Sequence, residues 1–226
     1  MDLRLEQHVA LVVGGAGFIG SAISERLRAE GATVITAGRT SGDVRMDAAD
    51  EASVSSAVTA VLAEHGRIDV LVVTSAPSAR TLDPARRSDP ELVLDAVAGK
   101  ALTFLRVVNA VMPGMVEAGY GRVVGISGQN AFLTGNLAGA VRNSALLVAA
   151  KNLADEVAGS GVTVNTVNPG QVSDEPVTAV EIGRGGESSP GQIADLVAFL
   201  ASPLAGAISG ESIAIGHRVR GVAFLS

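Results

Sequence analysis

A run of apolar residues that passes directly into a glycine-rich turn constrains the fold more than any other feature of the chain. Val9–Val13 is aliphatic without a polar interruption, which is typical of a central parallel strand covered on both faces. Glycines follow at positions 14, 15, 17 and 20. A helix is predicted next, because Ile19, Ile23 and Leu27 recur at helical spacing and Gly31 ends the pattern. This strand, turn and helix match the unit that binds a dinucleotide pyrophosphate. The alternative is a glycine turn without a ligand.

Strand and helix patterns alternate along the rest of the chain, which predicts a single α/β domain over residues 1–226. Beyond the first strand, six further strands are predicted at Ala32–Ala37, Val44–Asp47, Ile68–Thr74, Tyr120–Ser127, Val162–Val167 and Glu211–Ile215. Beyond the first helix, four more are predicted at Asp50–Glu64, Pro90–Met112, Gly139–Gly159 and Ile193–Leu200, with a short helical piece beginning at Pro113. The segment 81–90 is interpreted as a surface connection. The segment 171–192, rich in Gly, Ser and Pro, is either a mobile lid over a cleft or a disordered insertion.

Composition excludes several classes of protein. No apolar run approaches the roughly 18 to 20 residues of a membrane span, and the first residues lack a signal-peptide pattern, so a soluble cytoplasmic protein is expected. The chain has no cysteine and three scattered histidines, which excludes disulfides and thiolate chemistry and predicts no metal site. A net charge of -6 argues against nucleic acid as a partner.

The end of the second strand bears on the choice of cofactor. An acidic residue there binds the ribose 2'-hydroxyl of NAD, whereas an arginine accommodates the 2'-phosphate of NADP. The chain offers Gly38 and Arg39 at this point, so NADP(H) is predicted over NAD(H). An ordinary solvated arginine is the alternative interpretation. The loop Ser75–Arg80 leaves the carboxyl end of the fourth strand, which is the edge where open α/β sheets bind ligands.

Five segments together resemble the short-chain dehydrogenase/reductase family over nearly the whole chain. They are Gly14–Gly20, Met46–Asp50, Gly121–Ser127, Val162–Asn165 and Asn168–Gly170. The resemblance implies a single doubly wound Rossmann-type domain with a parallel seven-stranded sheet, a bound NAD(P), a small carbonyl or alcohol substrate, and a dimer or tetramer.

The resemblance also implies which residues bind the cofactor. Asp47 would lie against the adenine and Arg39 beside the 2'-phosphate. The family's Asn-Asn-Ala-Gly corresponds here to Val73–Ala76, which departs from the pattern. The full set implied is Gly14, Gly15, Gly17, Phe18, Ile19, Gly20, Arg39, Asp47, Thr74, Ser75, Ala76, Pro169 and Gly170.

The catalytic Tyr-x-x-x-Lys of that family has no counterpart in this sequence. The only tyrosine is Tyr120, and the only lysines are Lys100 and Lys151. Counting without gaps from the sixth strand places the family tyrosine at Gly139 and the family lysine at Asn143; counting from the fifth strand gives positions 141 and 145 instead. The family serine falls near position 128, next to Ser127, and the family's helix asparagine falls at about Lys100.

Two classes of function therefore stay open. One is an oxidoreductase with a substituted proton donor, in which Ser127, Lys100, Arg142 or a water replaces the tyrosine. The other is a catalytically silent nucleotide-binding or scaffold subunit. Lys100 is alternatively a helix lysine that reaches solvent, Ser127 a strand-end serine that caps local backbone, and Arg142 and Asn143 parts of a solvated helix face. The apolar residues of the two long helices exceed one face, which predicts at least a dimer.

Overall fold

A computed structural model describes residues 1–76 and 88–222 of the chain. Most of the predicted surface connection at 81–90, and part of the loop Ser75–Arg80, lie outside these described residues.

Seven parallel strands form one sheet in the order β3-β2-β1-β4-β5-β6-β9, and two very short strands pair separately. In chain order the strands are β1 Val9–Val13, β2 Thr33–Gly38, β3 Val44–Arg45, β4 Val70–Val73, β5 Gly121–Ile126, β6 Val162–Pro169, β7 Gln171–Val172, β8 Glu187–Ser188 and β9 Ser212–Ile215. The central strands β1, β4, β5 and β6 are buried along their whole length, which explains why they read as apolar runs rather than alternating patterns.

Helices cover both faces of the sheet. They are α1 Phe18–Ala29, α2 Glu51–His65, α3 Pro90–Val97, α4 Thr103–Ala118, α5 Leu137–Glu156 and α6 Pro190–Ala201. One core lies between the sheet and α2, α4 and α5, and the second lies between the sheet and α1 and α6. The predicted α/β domain with a parallel seven-stranded sheet is confirmed. Its switch of strand order, where β1 pairs with both β2 and β4, is the place where such sheets bind ligands.

The long helix predicted at Pro90–Met112 differs from the expectation in two ways. A π-helical turn, Ala98–Leu102, joins α3 to α4, and the helix continues through Pro113 to Ala118. Pro113 therefore does not begin a separate helical piece. Pro113 has no backbone N–H to donate to the carbonyl of Asn109. Both residues are exposed, so water can donate to that carbonyl instead.

The segment 171–192 has defined local structure. β7 pairs with β8, Ile182 forms a bridge with Arg220, and the backbone amide of Val177 donates to the Glu187 carboxylate at 3.2 Å. A capping box of Ser189 and Gln192 begins α6. Residues 190–192 are thus part of a helix, so the predicted lid is confined to the residues before them.

Candidate active site

The glycine turn after β1 folds tightly under the start of α1. The amide of Gly14, whose φ is +83°, donates to the carbonyl of Ala37 at 2.7 Å. A Cβ atom on Gly20 would collide with the carbonyl of Gly14, so only glycine permits this approach of helix and turn. No side chain caps the amino end of α1 at Gly17. Its first backbone amides are therefore available to an anion.

A cleft of about 620 Å³ opens above this turn. Ten residues predicted from the sequence line it: Gly14, Gly17, Phe18, Ile19, Gly20, Arg39, Asp47, Thr74, Ser75 and Ala76. The structure adds residues that the sequence reasoning missed, namely Val13, Ala16, Ala37, Gly38, Thr40, Ser41, Met46, Ala48, Ala49 and Thr103. Most of the added residues end a predicted strand or follow one closely. The reasoning from strand ends that pointed to Arg39 could have found these.

Three predicted cofactor residues lie outside the lining of the cleft. Gly15 packs against Thr36 beneath the turn, where a Cβ on Gly15 would lie 2.7 Å from the Thr36 methyl. Pro169 is the last residue of β6 and pairs with Ile215. Gly170 follows it and packs against the carbonyl of Gly186.

The cleft fits the dinucleotide that the sequence predicts. The exposed amino end of α1 lies at its floor, and Phe18, which is 53% exposed, lies at its margin. Arg39 lies at the end of β2, and Asp47 and Ala48 follow β3 along the same edge. An adenosine half would occupy these last residues, with the pyrophosphate over the helix start.

Lys100 is the most unusual side chain near the carboxyl end of β5. It lies in the π-helical turn and is only 6% exposed. Turns of this kind are rare and occur often at functional sites. Its Nζ donates to the backbone carbonyl of Ser127 at 3.1 Å. Burial, and to a lesser extent the positive charge of Arg142, lower the pKa of Lys100 to about 7. The alternative interpretation of Lys100 as a helix lysine that reaches solvent is therefore wrong.

Ser127 connects this lysine with helix α5. Its side chain is buried, and its hydroxyl donates to the backbone carbonyl of Asn143 at 3.2 Å. The side chain of Asn143 lies against Gly128, where a Cβ would be 3.2 Å from the Nδ2 atom of Asn143. The Oδ1 atom of Asn143 is buried without a hydrogen-bond partner within the described ranges.

The interpretation of Arg142 and Asn143 as a solvated helix face is wrong. Arg142 is 4% exposed and Asn143 is 3% exposed, because α5 packs against β6, the π-helical turn and α3. Burial also lowers the pKa of Arg142. The spacing could have shown the burial of Asn143, since Gly139, Asn143, Leu146 and Ala150 follow one another at helical intervals on one buried stripe.

Neither Gly139 nor Tyr120 brings a phenol to this cluster. Gly139 is buried, and its amide donates to the Asn136 side chain at 2.9 Å. A Cβ on Gly139 would lie within 2.8 to 3.0 Å of the Asn136 carboxamide. Tyr120 precedes β5, at the amino edge of the sheet, and packs on the ring of His8 and under the guanidinium of Arg122. It lies at the opposite edge from the cleft.

No group of three or more potential metal-ligating side chains occurs among residues 1–76 and 88–222. Within the same ranges, no helix is long and apolar enough to span a membrane.

The fold and the cleft define a class of protein, the Rossmann-type α/β proteins, and comparison with known proteins specifies the family. A family model described as enoyl-(acyl carrier protein) reductase matches residues 10–217. The chain belongs to the short-chain dehydrogenase/reductase family, as the sequence resemblance indicated.

Curated relatives align over nearly their whole length. The chain is 31% identical to a 3-oxoacyl-(acyl-carrier-protein) reductase of Vibrio cholerae, over 93% of the chain and 96% of the relative. It is 35% identical to a D-threitol dehydrogenase of Mycolicibacterium smegmatis, over 95% and 93%. It is 33% identical to the BbsC subunit of a hydroxy(phenyl)methylsuccinyl-CoA dehydrogenase of Thauera aromatica, over 91% of each. All three of these relatives are named for oxidoreductase reactions.

Solved structures show the same fold. A mutant short-chain dehydrogenase/reductase of Serratia marcescens superposes with a TM-score of 0.79 at 29% identity, covering 93% of this chain and 97% of the other.

Proposed function

We propose that the protein is an NADP(H)-binding oxidoreductase that acts slowly on a small carbonyl or alcohol, with Lys100 and Ser127 in place of the missing tyrosine and lysine. The observation that carries this proposal is the buried Lys100, whose ammonium lies 3.1 Å from the Ser127 carbonyl at the carboxyl end of β5. A buried lysine without an ion-pair partner among the described residues is costly for the fold. A catalytic role accounts for that cost.

The cofactor would be held by residues along the carboxyl edge of the sheet. The amides after Gly17 would bind the pyrophosphate, and Arg39 would pair with the 2'-phosphate. Asp47 would lie at the adenine end, and Thr74, Ser75 and Ala76 would follow the cofactor toward its nicotinamide end. When bound, NADPH supplies the hydride that reduces a carbonyl carbon.

Lys100 would supply the proton. When a hydride adds to a carbonyl carbon, the carbonyl oxygen becomes an alkoxide and needs a proton donor whose pKa lies near the working pH. With a pKa of about 7, Lys100 is protonated below neutral pH and gives up its proton readily near pH 7. The Ser127 hydroxyl would have to turn from the Asn143 carbonyl, its present acceptor, before it could donate to the substrate oxygen. Both groups would stabilise the developing charge in a site with little water.

We expect turnover to be low compared with relatives that carry the tyrosine. Positioned proton transfer contributes about 10²- to 10⁴-fold, and an ammonium already bound to a backbone carbonyl is a less well placed donor. The test is a titration of NADPH followed by NADPH oxidation with a panel of carbonyl compounds. Tight NADPH binding with slow oxidation that is abolished by Lys100→Ala supports the proposal, and turnover that survives both Lys100→Ala and Ser127→Ala would mean that the active site lies elsewhere.

A silent nucleotide-binding subunit is the second candidate. One relative, 33% identical, is itself named as a subunit of a dehydrogenase, so chains of this kind can work in the company of another. For this candidate NADPH binds tightly, and no carbonyl compound is reduced by the purified chain.

An apolar surface on the long helices supports a homo-oligomer. Val148 of α5 is 63% exposed and Leu94 of α3 is 60% exposed, and Leu137 and Val141 are also open to solvent. A groove of about 550 Å³ runs along this part of α5. Leu146 and Leu153 of the same helix are buried against the sheet, so α5 has apolar residues on two faces. We propose that the outer face packs on a second copy of the chain in the cytoplasm.

A further inference from the structure

The loop that would meet the 2'-phosphate is closed by one side chain. It runs from Gly38, at the end of β2, to Asp43, and its residues Arg39, Thr40 and Ser41 line the cleft. The Oδ2 atom of Asp43 accepts from the backbone amide of Thr36 at 2.8 Å and from the Thr36 hydroxyl at 2.7 Å. The amide of Asp43 in turn donates to that hydroxyl at 3.1 Å. Three hydrogen bonds thus join the last residue of the loop to the strand from which the loop leaves.

The backbone of the loop is folded too closely for most side chains. A Cβ on Gly38 would lie 2.5 Å from the carbonyl of Ser41. Gly42 has a φ of +122°, and a Cβ there would lie 2.9 Å from the carbonyl of Thr36. Glycine is therefore needed at both positions, and the loop returns to β2 in one compact turn that leaves the three cleft-lining residues at its tip.

The carboxylate of Asp43 is committed to this turn. The hydrogen bonds from the Thr36 backbone and hydroxyl lower the pKa of Asp43, and Arg28, at 3.8 Å, adds to the effect. Arg28 also donates to the carbonyl of Val34. The negative charge at the end of this loop is thus held by donors from β2 and α1. The methyl group of Thr36 also touches Gly15, so Thr36 lies between this loop and the glycine turn.

We propose that Thr36 and Asp43 are positioning residues for cofactor choice, because they hold the Gly38–Asp43 loop in the form that presents Arg39, Thr40 and Ser41 to the 2'-phosphate of NADP(H). The inference rests on the proposed function, since it assumes that the cleft binds NADP(H). A loop that is ordered before binding costs less entropy when the phosphate arrives. NAD(H) has a hydroxyl in place of that phosphate and gains little from the ordered loop.

The first test is Thr36→Val, which removes the hydroxyl but keeps the shape and the charge of the site. The dissociation constants of NADPH and NADH are measured by the change in nucleotide fluorescence. We expect NADPH to bind about tenfold more weakly, as for the loss of one or two hydrogen bonds, and NADH to change less than twofold. Thr36→Ser retains the hydroxyl and is the matched control, with both constants within twofold of the wild type.

Asp43→Ala separates positioning from simple electrostatics. Removing a negative charge near a phosphate would by itself strengthen NADPH binding. Our proposal predicts the opposite, a weaker NADPH complex and an unchanged NADH complex, because the loop is no longer held. In an Arg39→Ala background, Thr36→Val should weaken NADPH binding less than it does in the wild type, since the charged group that the loop positions is already absent.

Several results would overturn the inference. Equal weakening of NADPH and NADH by Thr36→Val would show a general structural role, and so would a Thr36→Ser variant as defective as Thr36→Val. Tighter NADPH binding by Asp43→Ala would show that charge alone decides. A wild-type chain that binds neither nucleotide would refute the proposed function, and the inference would fall with it. If only the inference fails, the wild type still binds NADPH, and the loop variants keep the wild-type preference for NADPH over NADH.

Discussion

Replacing Lys100 by methionine should change how the stability of the protein depends on pH. Methionine has a similar length and fills apolar space without a charge. In the wild type, burial lowers the pKa of Lys100 from 10.5 to about 7 in the folded state. Between these two values the unfolded chain binds the extra proton and the folded chain does not, so the free energy of unfolding rises with pH through this window. Below pH 7 both states are protonated, and the cost of burying the charge is fully present.

The size of the effect follows from the shift. One pKa unit corresponds to about 1.4 kcal/mol, so between pH 7.5 and 9.5 Lys100 should add about 2 to 3 kcal/mol to the free energy of unfolding. The assay is urea unfolding of the nucleotide-free protein at both pH values, for wild type and Lys100→Met. We expect the difference between the two proteins to change by that amount in favour of the wild type as the pH rises.

A matched control is available in Lys151, whose side chain is 55% exposed and pairs with Asp155 on the surface of α5. Lys151→Met should keep the pH dependence of the wild type. Parallel stability curves for wild type and Lys100→Met would contradict the reasoning, because they would mean that Lys100 titrates alike in the folded and unfolded chains.

Three further predictions concern the cofactor, the reaction and the assembly. Arg39→Ala should weaken NADPH binding by roughly 1.5 to 3 kcal/mol and leave NADH binding unchanged, as a charge-assisted contact predicts; an unchanged preference in paired titrations would refute the role of Arg39. Ser127→Ala should lower the rate of NADPH oxidation without changing the dissociation constant of NADPH, and a selective loss of NADPH binding would place Ser127 in the cofactor site instead. Val148→Asp should turn the oligomer into a monomer by light scattering at micromolar concentration, whereas a monomeric wild type would contradict the proposed interface.

The sequence predicted the fold and the phosphate end of the site because both depend on local patterns. Buried parallel strands such as β1 appear as unbroken apolar runs, and the glycine turn depends on backbone geometry that few other residues allow. Arg39 was predicted because it closely follows a predicted strand, whereas Asp47 came from the family resemblance.

The chemistry end of the site could not be predicted in the same way. Lys100 is a polar residue on a mostly apolar helix, so the sequence alone favours a position on the surface; the π-helical turn that buries it is not visible at that level. That turn arises from the joining of α3 and α4, and it has no signature in the spacing of the residues. Arg142 likewise appears solvated until α5 is seen to pack against the same turn. Tertiary contacts, rather than local propensity, decide the burial of Lys100 and Arg142.

The most direct test of the central claim is the rate of NADPH oxidation with carbonyl substrates, measured from pH 6 to 9 for wild type and Lys100→Met. A proton donor with a pKa of about 7 must be protonated to act, so we predict a slow rate that falls as the pH rises through 7. In Lys100→Met that rate should disappear, while NADPH binding is retained. Rapid oxidation that is independent of pH and equal in both proteins would contradict the account.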